Sequence, residues 1–248
     1  MINLRNILLL FVCIISASIN AANEVPGVSK APIKPNFFTE NKGQMVDLNG
    51  DPVPFVLFKA ESPGLNMFIT EKGLTYMLFK GEEEEKKTGI KEDDFAGFED
   101  ERVELEWNRV DVLIKGANIK KENIIKDGAS TYFKQFFIRH QQNGVGQVYD
   151  YEKITIKEVY PGIDWVLYNN NEKGIKYDFV VHPNANPKDI ELVYLSKKPV
   201  VLNENGEIEI NATLGNIKEN APQSFLNGIK ISSEFKLKVS SRRRSLAL

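Results

Sequence analysis

Two aspartates on a predicted hairpin, Asp164 and Asp178, are the residues best suited to chemistry. Each lies in a run with an apolar residue at every second position, and a polar loop joins the two runs. Since side chains alternate between the two faces of a strand, both aspartates lie on the face opposite the apolar residues. An odd-numbered loop that sets Tyr168 opposite Gly174 also places Asp164 directly opposite Asp178, with their Cβ atoms about 5 Å apart. The apolar positions are Ile163, Trp165, Leu167, Ile175, Tyr177, Phe179 and Val181.

Facing carboxylates repel each other, so this arrangement needs a cation, a hydrogen-bond donor from a neighbouring strand, or a raised pKa on one carboxyl. A carboxylate pair at about this separation can carry out retaining glycoside hydrolysis. The same pair can be purely structural, held by Lys176 or by backbone amides, and we favour that interpretation. A register slip of one residue would destroy the pairing.

Other catalytic and metal-binding patterns are missing. The sequence has no Gly-x-Ser-x-Gly, no His-Glu-x-x-His and no Gly-x-x-x-x-Gly-Lys motif. Its two histidines, His140 and His182, lie at predicted strand ends, where we expect surface roles. Residues 47–51 begin like a calcium loop, but Pro52 occupies the place of the turn glycine, so a polar turn is favoured. We therefore predict no cofactor and no metal site.

The N-terminus predicts export. Residues 1–22 carry Arg5, then an apolar run over residues 7–15, then small and polar residues up to Ala22, as in a secretory signal peptide. The apolar run is too short to cross a bilayer core of about 30 Å. We expect cleavage beside Ala21 or Ala22, a secreted or cell-surface protein, and no membrane span after cleavage. The alternative is a buried N-terminal helix.

The single cysteine, Cys13, lies inside the predicted leader. Val12 precedes it, where a lipoprotein processing site has a small residue, so a lipid anchor is not expected. Removal of the leader leaves a chain without cysteine. Disulfides, thiolate metal sites and cysteine nucleophiles are thereby excluded.

Composition excludes one class of partner. The 248 residues contain 32 Lys and Arg against 34 Asp and Glu, a net charge of −2, and 42% of them are hydrophobic. Nucleic-acid binding depends on clustered basic residues, so no nucleic-acid partner is expected. The values are those of an ordinary folded protein.

The pattern along the mature chain predicts an all-β fold. Three prolines make residues 23–36 an extended arm, and residues 37–239 show alternating apolar runs without a helical period. Residues 71–73 form a predicted hairpin turn, and four further turn pairs are Asp127-Gly128, Asn143-Gly144, Asn205-Gly206 and Asn227-Gly228. We expect an antiparallel β-sandwich, either as one unit or as two packed sub-sandwiches meeting near residues 80–102. That acidic stretch is a predicted flexible loop.

Eight stretches of the chain, in this order, carry a family resemblance: residues 38–44, 67–74, 113–118, 159–164, 176–181, 183–187, 203–206 and 219–223. With them the sequence resembles the N-terminal domain of unknown function of secreted bacterial proteins that carry SBBP-type β-propeller repeats. The resemblance covers residues 37–239. It implies a secreted or surface module of Bacteroidetes-type proteins, followed by repeats, adhesion-type domains and a C-terminal sorting domain, and it implies no established catalytic activity.

Residues 240–248 depart from this resemblance, because they show neither strand alternation nor a sorting domain. A truncated or frame-shifted gene is the preferred explanation, and a stand-alone domain with a basic tail is the alternative.

The predicted function is a non-catalytic extracellular β module, structural or adhesive, that precedes propeller repeats. Its partner would be an extracellular glycan or a surface protein, and its oligomeric state is left open. The alternative is a glycan-active domain, or a glycan- or calcium-binding one, that uses Asp164 and Asp178.

Overall fold

The computed structural model describes residues 9–13, 15–16, 37–62, 64–80, 106–170, 174–239 and 244–247. Within these ranges the chain forms twenty-one strands, two short 3-10 turns and no α-helix, and all strand pairs are antiparallel. This confirms the predicted all-β class. Nothing helical in the described part of the chain is long and apolar enough to cross a membrane.

The strands are β1 (Leu9–Cys13), β2 (Ile15–Ser16), β3 (Phe38–Glu40), β4 (Val56–Ser62), β5 (Leu65–Thr70), β6 (Gly73–Lys80), β7 (Glu106–Ile114), β8 (Ile124–Ala129), β9 (Lys134–Ile138), β10 (Gln141–Val148), β11 (Asp150–Tyr160), β12 (Ile163–Asn170), β13 (Gly174–Val181), β14 (Glu191–Ser196), β15 (Val200–Leu202), β16 (Ile208–Ala212), β17 (Gly215–Glu219), β18 (Gln223–Leu226), β19 (Ile229–Ile231), β20 (Lys236–Val239) and β21 (Arg244–Ala247). The 3-10 turns are Lys121–Asn123 and Pro187–Asp189.

Fifteen of these strands form one large sheet in the order β19-β18-β1-β13-β12-β11-β3-β4-β5-β6-β7-β14-β21-β20, with β8 also paired to β11. A second sheet has the order β15-β16-β17-β2, and β9 and β10 form a separate hairpin. The strands on either side of the acidic stretch, β6 and β7, are neighbours in the large sheet. Residues 81–105 themselves, like residues 17–36, lie outside the described part of the chain.

The large sheet curls around one hydrophobic core. Six of the seven apolar residues predicted to face inward on the hairpin are buried, and Trp165 and Phe179 have no exposed surface; the seventh, Ile175, is half-buried. Tyr76 and Val112 on β6 and β7 are 1% exposed. Residues from β6, β7, β12, β13 and β14 all belong to the same buried cluster, although β13 and β14 are eight strands apart along the sheet. Their meeting in one core requires the sheet to bend back on itself.

Some of the predicted turns are present in the structure, and others are not. Glycines with positive φ do form the predicted turns at Gly206 (φ +75°) and Gly228 (φ +78°), and Thr70 pairs with Gly73 across the turn between β5 and β6. The prediction was wrong for Asp127-Gly128 and Asn143-Gly144, which lie inside β8 and β10. The positive φ of Gly144 belongs to an irregular, bulged pairing with β9, since a bulge uses the same glycine conformation as a turn.

The two chain ends add strands that the sequence did not predict. Leu9–Cys13, inside the predicted leader, forms β1 between β13 and β18. Arg244–Ala247, assigned by its sequence to a tail without strand pattern, forms β21 between β14 and β20. Pairing with an existing sheet edge, rather than alternation, defines that strand.

Candidate functional site

The predicted site hairpin exists, but its register differs from the prediction by two residues. Asn170 pairs with Gly174, so Asp164 lies opposite Val180 and Asp178 lies opposite Val166. The strands extend two residues further toward the loop than expected, and Gly174 begins β13 with φ +78°. The two aspartates still share a face, as predicted, but they occupy diagonal positions, for which Cβ atoms lie about 7–8 Å apart.

Three donors engage the carboxylate of Asp164. The Nζ of Lys157 donates to Oδ2, His182 Nε2 lies 2.7 Å from the same oxygen, and the backbone N–H of Glu158 donates to Oδ1 at 2.9 Å. The side chain of Asp164 is only 4% exposed. Burial alone would raise its pKa, but the hydrogen bonds from Lys157, His182 and Glu158 outweigh burial and lower it. Asp164 is therefore a buried anion with its own set of donors.

A bulge in β11 brings these donors to Asp164. Between Ile156 and Tyr160 the strand β11 has four steps, where its partner β12 has two, from Trp165 to Ile163. A two-residue hairpin without the bulge would set Val159 opposite Asp164, whereas the two extra residues bring Lys157 to that position. Glu158 takes φ +54° inside the bulge, which turns its N–H toward the carboxylate.

Asp178 lies in a different environment. It is 7% exposed, and the hydroxyl of Tyr168 donates to its Oδ1 at 3.4 Å. Burial raises the pKa of Asp178 to about 6, against the smaller lowering effects of Tyr168 and of Lys176. The predicted neutralising residue, Lys176, thus acts on Asp178, while Lys157 is the cation beside Asp164.

The arrangement favours a structural role for both aspartates. Shifts of two carboxyl pKa values in opposite directions are typical of acid/base pairs. A catalytic pair, however, must contact a sugar and water. Asp164 and Asp178 are 3% and 7% exposed, and the oxygens of Asp164 already accept three hydrogen bonds.

Lys157 and His182 are the residues that the sequence interpretation missed. His182 was expected at a strand end, and it does follow β13 directly, but its ring is bound to Asp164. The bulge left one signal in the sequence: Val159 and Tyr160 are adjacent apolar residues, which breaks the strict alternation that Ile154 and Ile156 follow. Such a break within a strand indicates irregular pairing.

His140 and residues 47–51 also have partners within the protein. His140 Nε2 lies 2.8 Å from the carbonyl oxygen of Gly43. Asp47 Oδ1 accepts the backbone N–H groups of Asn49 at 2.8 Å and Asp51 at 3.0 Å, which makes residues 47–51 a compact polar turn. In the described ranges, no group of three or more His, Cys, Asp or Glu residues could hold a metal ion.

A cleft of about 550 Å³ lies on the outer face of strands β5, β6 and β7. Its floor is formed by residues that alternate with the core positions of these strands, among them Phe68, Met77, Phe79 and Trp107. Residues 46–55 form a wall that carries Leu48 and Phe55. Trp107 is 42% exposed and Phe55 is 49% exposed, so large apolar rings face the solvent here. The polar turn at Asp47 belongs to this wall.

Polar groups stand among these rings. Arg109 lies in the cleft, where its Nε donates to both oxygens of Asp111 at 2.9 and 3.0 Å, and Asp111 in turn accepts the hydroxyl of Thr75 at 2.6 Å. This chain of contacts holds the guanidinium beside Asp111, and the side chain of Arg109 is 53% exposed. Asn66 adds an amide on β5. Apolar rings with a few placed polar groups are the usual composition of a small-molecule site.

The fold and the cleft define the class of protein: an all-β domain with an aromatic cleft on its surface. Comparison with known families places the chain more narrowly. A model for a domain of unknown function, DUF7948, matches residues 38–245, and the chain belongs to that family. No curated protein and no solved structure shows a significant match.

Proposed function

We propose that the chain is an exported, non-catalytic β module that binds an extracellular glycan in the cleft on β5, β6 and β7. The observation that carries this proposal is the set of half-exposed rings in a concave site. Apolar rings of this size are costly to leave in water, and the cleft has the volume of a site for a small ligand, which distinguishes it from a flat protein-docking patch.

A sugar chain matches this composition. A pyranose ring has an apolar C–H face that packs on an aromatic ring and a rim of hydroxyl groups that need hydrogen-bond partners. Trp107 and Phe55 provide exposed ring faces, and Arg109 and Asn66 provide donors beside them. Short segments of a polysaccharide are the ligand class with both features.

Two observations support the absence of catalysis and the export. The candidate carboxylates Asp164 and Asp178 lie on β12 and β13, away from the strands that form the cleft, and both are buried. Residues 1–22 have the three-part pattern of a secretory leader. A binding module outside the cell needs a leader and a recognition surface, and it needs no catalytic residues.

The test is affinity electrophoresis of the exported chain through gels that contain xylan, mannan, β-glucan or galactan. We expect retardation by at least one of these glycans. Trp107→Ala should weaken the affinity behind that retardation about fivefold to thirtyfold, since loss of one stacked ring costs roughly 1–2 kcal/mol. Phe137→Ala is the matched control, because Phe137 is 85% exposed on the separate β9–β10 hairpin.

Equal retardation of the parent and the Trp107→Ala chain would contradict the assignment of the cleft as the binding site. No retardation by any of the four glycans would contradict a glycan as the ligand. The same mixtures should be assayed for new reducing ends. Release of sugar that disappears in both Asp164→Asn and Asp178→Asn would favour the enzymatic alternative.

A further inference from the structure

The strand β1 occupies a central place in the large sheet. Its five residues pair antiparallel with β13 on one side, from Leu9 opposite Val181 to Cys13 opposite Tyr177. Four of them also pair antiparallel with β18 on the other side, from Leu9 opposite Leu226 to Val12 opposite Gln223. Among the described strands, β1 is the one that joins the hairpin of β18 and β19 to the rest of the large sheet.

The same five residues lie in the apolar run of the predicted leader. Export as proposed above removes them, since cleavage is expected beside Ala21 or Ala22. The place between β13 and β18 then loses its strand. Two rows of backbone N–H and C=O groups that β1 had paired are left facing each other across a gap one strand wide.

Residues on both sides of this gap are buried and would be exposed to water without a strand between them. Phe179 and Val181 have no exposed surface, and Tyr177 is 1% exposed. On the opposite side Ser224 has no exposed surface. An open gap would bring these positions toward water, which favours refilling by another strand.

The rest of the printed chain offers no replacement. The arm over residues 23–36 carries Pro26, Pro32 and Pro35, and proline cannot donate to the two ladders of a central strand. The five residues between the first two prolines are Gly, Val, Ser, Lys and Ala, with one large apolar side chain in place of the four in β1. Residues 81–105 are rich in Glu, Asp and Lys, which are poorly suited to a place beside Phe179. The other strand-forming segments already have places in the sheets.

We infer that the exported domain is a strand acceptor: the gap between β13 and β18 takes an extended apolar strand, about five residues long, donated by a partner polypeptide. β1 enters the gap without a hairpin turn to either neighbour, so a strand with free ends fits in the same way. Strand addition of this kind combines backbone pairing for affinity with side-chain pockets for specificity. The inference rests on the proposed export and is independent of the glycan cleft.

The test uses the chain as the cell exports it and a synthetic peptide of residues 7–16 flanked by lysines. The peptide carries Val12→Cys and Cys13→Ser, and the chain carries Gln223→Cys, which is its only cysteine once the leader is removed. Cβ atoms of directly opposite residues lie about 5 Å apart, close enough for a disulfide after small adjustments. The control chain carries Lys230→Cys on β19, two strand spacings or about 10 Å from the gap.

Mass spectrometry of the exported chain should show that it begins near residue 23. We expect about tenfold more disulfide-linked peptide with the Gln223→Cys chain than with the Lys230→Cys chain. A peptide with Phe11→Pro should lose this preference, because proline removes a ladder donor from a doubly paired strand. Equal capture at the two cysteines in a correctly cleaved chain would overturn the inference and leave the export standing.

Two other outcomes would also overturn the inference. A disulfide-linked dimer that forms without peptide in the Gln223→Cys chain and not in the Lys230→Cys chain would show that a second copy covers the gap. A mass that retains residues 1–22 would show that β1 stays in place, and in that case the proposed export fails as well.

Discussion

Asp164 links three parts of the chain through one side chain. Lys157 and Glu158 come from the bulge of β11, Asp164 from β12, and His182 from the residue that follows β13. Each contact is a hydrogen bond to a charged carboxylate, the stronger class of hydrogen bond in proteins. Because Asp164 itself is 4% exposed, water cannot replace the lost donors easily.

We expect Asp164→Asn to lower the free energy of unfolding by about 2 kcal/mol, the usual effect of removing a hydrogen-bonded charge. Urea unfolding at neutral pH measures this change. Asp127→Asn is the matched control, because the pair of Asp127 and Lys153 is about half exposed on both sides and contributes little. Equal losses in the two variants would contradict the structural role of Asp164.

The same substitution should alter the acid response. Since the folded state lowers the pKa of Asp164, its contribution is complete above the unfolded value of about 3.9 and is lost as the pH falls below it. Asp164→Asn should therefore lose less stability than the parent when the pH falls from 5 to 3. A parallel loss in both chains would refute the assigned direction of the pKa.

The sequence was sufficient to select Asp164 and Asp178 and to place them on one face, because alternation fixes the face. It was not sufficient to find their partners. Lys157 reaches Asp164 only through the bulge, and His182 only because Ile163 pairs with Val181 at the end of the hairpin. Both depend on register, which the apolar pattern does not define to within two residues.

At the scale of elements, β12 is positioned by its two turns. Pro161 and Gly162 form the turn from β11, where Gly162 has φ +70°. At the other end Gly174 begins β13 with φ +78°. The two glycines differ in their surroundings: a Cβ on Gly162 would lie 2.9 Å from the Cβ of Ala185, whereas a Cβ on Gly174 would have no neighbour within 4 Å.

This difference predicts unequal effects of alanine. Gly174→Ala should cost about 1 kcal/mol from the left-handed backbone alone. Gly162→Ala should cost about 3 kcal/mol, because the contact with Ala185 adds to the same backbone term. Thermal or urea unfolding of the two variants measures both losses of stability, and their difference is the cost of the contact with Ala185. Equal losses would show that Ala185 moves aside.

The elements also show what short patterns can predict. Hairpins with strict alternation on both arms, such as β5 and β6 around residues 71–72, were found correctly. Arg244–Ala247 could not be found this way. It carries no alternation of its own, and it becomes a strand because the edges of β14 and β20 lie on either side of it.

At the scale of the whole molecule, Glu219 joins distant parts of the fold. It lies on β17 of the second sheet, is 1% exposed, and accepts hydrogen bonds from Tyr194 on β14 and from Tyr177 on β13. These tyrosines belong to strands far apart in the large sheet. Burial raises the pKa of Glu219 to about 7, and the two tyrosine hydroxyls lower it only in part.

A raised carboxyl pKa makes folding less favourable as the pH rises. Between the ordinary value of 4.5 and about 7 the folded state binds more protons than the unfolded state, so stability falls across this interval. We expect Glu219→Gln to remove this fall and to exceed the parent at pH 8 by about 2–3 kcal/mol. Urea unfolding at pH 4.5, 6 and 8 measures this difference in the free energy of unfolding, on the chain with residues 1–22 present.

Glu204→Gln, at an exposed position, provides the comparison and should follow the parent at every pH. A constant difference between Glu219→Gln and the parent across the three pH values would contradict the raised pKa. The sequence offered no sign of this group, since Glu219 resembles any other glutamate on a short strand. Its burial appears only when the second sheet packs on the curled one.

The pairing of β3 with β11 has a consequence for the speed of folding. Thr39 donates to Asp150 at 2.6 Å across 111 residues of sequence, and β1 meets β13 and β18 across still longer separations. Chains dominated by such non-local contacts fold slowly, in milliseconds to seconds, because large loops must close before these contacts form. The newly made polypeptide therefore stays unfolded for a long time on the scale of molecular motion, and an unfolded chain is the form that the proposed export through a secretion pore requires.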